Sequence, residues 1–242
     1  MFKFSDQPST LSSIYAQSFS LYKYVFAKTW YFALINMAII GVLKFITTQY
    51  IPITNPDSFS HLTHPQILVF VCLNFVALLI AIYFIGFIMH KMVAVTGYIA
   101  ETNSSLVIMR KWFTLTMSTF IVLLLITLGI YLFVLPAIFC AVLLSFYTPL
   151  ILFDNKGAWG AVAGSCKLVW GNWWRTFAAL IPAIFILLFY ALLQQGLLKI
   201  SSNVFFSFCA FAIFFTIFAL LIYAFILVQY NDLKIRKKLK TV

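Results

Sequence analysis

The chain has 242 residues, of which 64% are apolar and 9% charged, with a mean hydropathy of +1.06 and a formal net charge of +11. Ordinary soluble domains carry about 45–50% apolar and about 25% charged residues, so water cannot be the solvent for most of this chain. That excludes a water-soluble enzyme and leaves no stretch long enough for a separate soluble domain.

A hydrocarbon core of about 30 Å takes about 20 apolar residues as a helix. The reading is an all-α, polytopic membrane helix bundle: six transmembrane helices plus two amphipathic in-plane helices on the cytoplasmic side, in one membrane domain covering 1–242. The N-terminus carries only Lys3 before a polar, Ser-rich stretch, with no short apolar core and cleavage site, so no removable signal peptide is expected. Residues 9–24 are predicted as the first in-plane helix: Leu11, Ile14, Tyr15, Phe19 and Tyr22 fall on one arc, and Ser12, Ser13, Gln17, Ser20 and Lys23 on the other. The first span follows at 25–47.

Residues 48–65, TQYIPITNPDSFSHLTHP, contain no Lys or Arg. Asp57, His61 and His64 in this loop are the only cluster of ligand-type side chains, which as a zinc site competes with a plain solvated loop. The second span is 66–90. Residues 113–153 run apolar without interruption, about 60 Å as one helix, so the run must fold back on itself. Pro136 is the expected turn, giving spans at 113–132 and 136–153, although a re-entrant hairpin would carry the same flanking charges.

The stretch 157–172 is the second in-plane helix. Ala158, Trp159, Val162, Cys166, Val169 and Trp170 make its apolar arc, while Gly157, Gly160, Gly164 and Gly171 gather on the other side beside Lys167. That glycine ridge suits close helix packing; with Lys167 and Arg175 it also suits a lipid phosphate. The last spans are 176–194 and 204–229, followed by a basic cytoplasmic tail, 230–242, in which Lys234 and Arg236 are candidate headgroup contacts. The junctions from in-plane helix to span both end in Ala-Leu-Ile, at 33–35 and 179–181, a weak internal repeat.

Of the 16 Lys and Arg residues, all but Lys44 and Lys199 fall on one side of this layout, which places that side and both termini in the cytoplasm. All six tryptophans lie toward the same side, where an amphipathic ring suits the headgroup layer.

Residues 135–175, LPAIFCAVLLSFYTPLILFDNKGAWGAVAGSCKLVWGNWWR, resemble the YciC family of bacterial inner-membrane proteins, and more distantly the membrane domains attached to some glycerophosphodiester phosphodiesterases. A proline-started span ends in a P-x-x-L segment. Asp154 and a turn follow, then an Ala-x-x-x-Ser helix with Lys167-Leu168 and an aromatic-Gly-Asn junction. Residues 230–236 are similar to the tail of the wider group. Ala137 stands where the group often has Pro-Gly, and the glycine-rich helix is less basic than usual. The resemblance implies a polytopic inner-membrane protein of the cell envelope and supplies no catalytic residues.

The five acids, Asp6, Asp57, Glu101, Asp154 and Asp232, all lie outside the predicted spans, which disfavours ion-coupled transport. Asn36 and Asn74 are the deep polar groups, read as interhelical hydrogen-bonding residues or pore caps. Ser165 beside Cys166 lacks a base or acid nearby in sequence, and the scattered cysteines read as small buried hydrophobes. No cofactor, catalytic residue or nucleic-acid partner is expected; the expected partner is the phospholipid bilayer, including anionic lipids. A non-enzymatic role in lipid or envelope organisation leads, with a facilitator or channel for lipids or small amphiphiles as the alternative.

Overall fold

The computed structural model describes residues 2–50, 63–97, 103–200 and 204–240. Among them the chain forms eight helices: α1 (Leu11–Tyr50), α2 (His64–Val95), α3 (Ser104–Leu132), α4 (Val134–Leu144), α5 (Tyr147–Asp154), α6 (Ala158–Val169), α7 (Trp173–Ile200) and α8 (Val204–Lys240). Five stretches are long and apolar enough to cross a bilayer: Leu11–Thr47, His64–Val95, Ser104–Leu132, Leu135–Asp154 and Thr216–Leu239. A sixth is made by α6 and α7 if their bend belongs to one broken span. Leu68, Val71, Phe113, Leu124, Phe185 and Leu192 are each more than half exposed, an apolar surface that a bilayer covers.

The boundary expected between 24 and 25 corresponds to no break, because α1 runs unbroken through it. No Gly or Pro interrupts the sequence from Leu11 to Ile40, so nothing stops the helix there. The arc Ile14, Ser18, Leu21 and Val25 is fully buried, and Tyr15 and Phe19 meet Phe225 of α8 edge-on at 6.1 and 5.8 Å. That face is covered by protein. At the other terminus α8 continues through the expected tail to Lys240, its cations near the negative end of the helix dipole.

The hairpin in 113–153 turns at Phe133, whose backbone is extended (φ −174°, ψ 159°). Pro136 then sits in the first turn of α4, where a missing N–H costs nothing. A Cβ on Gly129 would lie 2.9 Å from Ala137 Cα, so glycine is what lets α3 and α4 touch. The span expected at 136–153 is itself broken at Ser145 and Phe146. Pro149 is the cause: it cannot donate to the carbonyl of Ser145, four residues back, and its ring crowds that carbonyl. Ser165 of α6 fills the gap, its Oγ donating to Leu143 O at 2.6 Å and accepting Phe146 N–H at 3.1 Å.

α2 and α3 lie antiparallel, joined by His90 Nδ1 with Ser104 Oγ at 3.0 Å near one end and by Phe75 stacked on Phe120 at 5.9 Å near the other. Asn231 donates to Ser5 O at 3.0 Å, so the two ends of the described chain meet at one end of the bundle.

Candidate functional site

That end is built around Asp232, which is 2% exposed. Its Oδ1 accepts Ser9 N–H at 2.7 Å; its Oδ2 accepts Arg236 Nε at 2.8 Å and Arg175 Nε at 3.3 Å. Both guanidinium groups also donate to Ser9 O, Arg236 at 2.8 Å. The N-terminal segment and two helices are thereby tied together: Ser9 before α1, Arg175 in the first turn of α7, and Asp232 and Arg236 one turn apart on α8. Arg175 and Arg236 thus direct donors at protein groups. Lys234 pairs with Asp154 at 2.7 Å and lies 5.4 Å from the centre of the Tyr230 ring. Sequence reading singled out three of these cations; Asp232, the acid that organises them, it left as one unassigned member of the tail.

Beside this cluster lies a cavity of about 540 Å³ between α2, α3, α5 and α8. Its polar lining is His90, Arg110, Lys111, Asn155, Asn231 and Lys234, and its apolar lining is Phe4, Val93, Val107, Leu152, Phe153 and Leu227, with Tyr230 contributing both kinds of surface. Lys111 Nζ donates to Leu152 O at 2.7 Å and to Asn155 Oδ1 at 2.6 Å. A cation thus closes the C-terminal end of α5, the favourable position for the helix dipole. Asn155 adopts the left-handed conformation (φ 51°) that ends this helix. Arg110 and Asn155 are exposed, so the cavity opens to the surface of the charged end.

Next to it, α6 turns away from α7 by 106°. The turn is made at Gly171, whose φ of 82° disfavours any side chain. The face of α6 buried against the bundle is Ala161, Val162, Gly164, Ser165, Leu168 and Val169. It is rotated by about 100°, one residue, from the apolar arc predicted by sequence. The packing interface selects small residues, and the large rings go outward: Trp159, Trp170 and Trp174 are 70%, 71% and 76% exposed. Lys167 is exposed among them. Trp173 alone turns in, stacking on Phe139 and Phe177 at 5.2 Å each.

The glycine ridge accordingly does not act as one packing surface. A Cβ on Gly164 would meet Lys156 Nζ at 2.9 Å and Leu150 Cδ1 at 3.3 Å, whereas one on Gly157 or Gly160 would meet nothing within 4 Å. Gly171 serves the turn instead.

Asn74 is exposed and donates to Phe70 O of its own helix at 2.8 Å, so it bridges no helices; Asn36 is buried, with no partner for its Oδ1 among the described residues. Asp57 and His61 lie outside the described residues, and His64 begins α2, exposed. Among the described residues no three His, Cys, Asp or Glu side chains gather to hold a metal ion. Burial pushes the Cys166 thiol up, away from nucleophilic use. Compared with family models, characterised proteins and solved structures, the chain matches none.

Proposed function

We propose that the chain is a non-enzymatic inner-membrane protein that organises lipid, and through it the envelope, at the cytoplasmic headgroup layer, with α6 lying in that layer and both termini on the same side. The observation that carries this reading is the 106° turn of α6 away from α7 together with the outward Trp159, Trp170, Trp174 and Lys167. Indole rings favour the boundary between chains and headgroups, and a lysine on the same face reaches phosphate. The concentration of Lys and Arg on this side supports its placement in the cytoplasm. The resemblance of 135–175 to YciC-type proteins supports the inner membrane as its place.

The test is depth-dependent quenching by brominated phospholipids in variants that keep one of Trp159, Trp170 or Trp174 as the only tryptophan. Bromine near the headgroup end of the acyl chain quenches each most strongly. Strongest quenching by bromine near the chain terminus contradicts the reading. A second reading, a facilitator for small amphiphiles, is favoured by the cavity beside Lys111 and requires it to open toward the far leaflet during a transport cycle.

A further inference from the structure

We propose that the cavity between α2, α3, α5 and α8 is a binding site for a phosphate-bearing anionic amphiphile. It holds the phosphate on Arg110, Lys111 and Lys234 and the apolar part against Phe4, Val107, Phe153 and Leu227. This rests on the reading above for the placement of the charged end in the headgroup layer, though not for the placement of α6.

The volume, about 540 Å³, falls in the range of about 300–1,000 Å³ that small-molecule sites occupy. Donor accounting shows what the cations have left. A lysine ammonium carries three N–H groups and a guanidinium five. Lys111 spends two, on Leu152 O and Asn155 Oδ1; Lys234 spends one, on Asp154 Oδ1. Arg110, exposed on the cavity rim, makes no hydrogen bond or ion pair with any described residue. One donor of Lys111, two of Lys234 and the whole fork of Arg110 remain for a ligand.

Among the described residues that line the cavity there is no acid, and Asp154, outside the lining, offsets Lys234 alone. The charges of Arg110 and Lys111 are therefore uncompensated by described groups. A tetrahedral phosphate takes donors arriving from several directions, and three cations on two helices line this cavity, whereas a carboxylate has only two coplanar oxygens to offer. The rest of the lining is largely aromatic and aliphatic, which selects a phosphate attached to an apolar body over a free polyanion. A lipid headgroup with its glycerol backbone and a soluble phosphate ester share this chemistry.

The full-length protein in mild detergent is titrated with phosphatidylglycerol and, separately, with glycerol 3-phosphate, reading bound mass by native mass spectrometry and unfolding temperature. Arg110→Gln is the test variant, since Arg110 holds nothing in the fold, and Lys167→Gln the control outside the cavity. The proposal predicts phosphatidylglycerol binding that falls about tenfold or more in Arg110→Gln and is unchanged in Lys167→Gln. If glycerol 3-phosphate competes for the site, a soluble ester is the source; if it does not, the lipid is. Equal binding by wild type and Arg110→Gln, or no binding of either probe, overturns the proposal. Loss in Lys167→Gln alone overturns it too, while leaving headgroup contact by α6 standing. Deep tryptophan quenching with phosphatidylglycerol still lost in Arg110→Gln removes the reading of α6 and keeps the cavity.

Discussion

Asp232 and Asp154 each carry ion pairs at the same end of the molecule, but their surroundings make them unequal. Asp232 is 2% exposed and is the shared ion-pair partner of two guanidinium groups that also share the Ser9 carbonyl, so removing its charge leaves two arginines, about a quarter exposed, held close together without a counter-charge. Breaking a buried pair by deleting one partner costs about 3–5 kcal/mol, less where water reaches the survivors, so Asp232→Asn is expected to cost about 2–3 kcal/mol in thermal unfolding. Asp154→Asn, breaking a pair whose side chains are 23% and 39% exposed, costs under about 1 kcal/mol. A smaller loss for Asp232→Asn than for Asp154→Asn contradicts this account of the clamp. Sequence alone displayed every one of these charges and their common side, because charge type and flanking position are local. It could not pair them, since the Ser9 amide and the Asp232 carboxylate are 223 positions apart.

Ser165 and the glycines act at the scale of helices meeting. Ser165→Ala leaves Phe146 N–H and Leu143 C=O, both bonded to the serine hydroxyl, without that partner inside the bundle. The expected cost is about 1–3 kcal/mol, seen as a lowered unfolding temperature, and no change would show that the break at 145–146 needs no bridge. Gly129→Ala pushes a methyl group against Ala137 backbone at 2.9 Å and is expected to cost about 1–3 kcal/mol in the same assay. Gly160→Ala, facing open space in α6, is expected to be neutral or to stabilise by up to about 1 kcal/mol. A cost at Gly160 as large as that at Gly129 would show that Gly160 faces a packed neighbour and not open space. The need for a turn near Pro136 was legible from run length alone, and the chain also bends between the 157–172 stretch and the helix that follows it. The second break was written in the sequence as Pro149 but masked by the apolar run around it. Periodicity gave α6 an apolar arc yet misjudged its buried face, because which face is covered depends on the neighbours, and α3, α4 and α5 take the small residues.

Across the whole molecule, apolar length fixed the helical, membrane-crossing class, since the hydrocarbon thickness is a constant that sequence can be measured against. What it left open was how the ends assemble. The hydrogen bonds from Asn231 to Ser5 and from Ser9 to Asp232 hold the N-terminal segment against α8, Arg175 adds the start of α7, and Val107 and Arg110 of α3 line the same cavity as Phe4 and Asn231, while α2 runs about 48 Å from His64 to Val95 and carries His64 to the opposite end. We propose that the end holding the Asp232 clamp, the basic cavity and the tryptophan face lies at the cytoplasmic surface. The most direct test of this placement is labelling by a membrane-impermeant thiol reagent of single cysteines introduced at Asp6, Lys167, Lys238 or His64 in a cysteine-free background. The account predicts that Asp6, Lys167 and Lys238 positions label only in inside-out vesicles and the His64 position only in intact cells; labelling of Asp6 and Lys238 positions from opposite faces, or of the Lys167 position from outside, would contradict it.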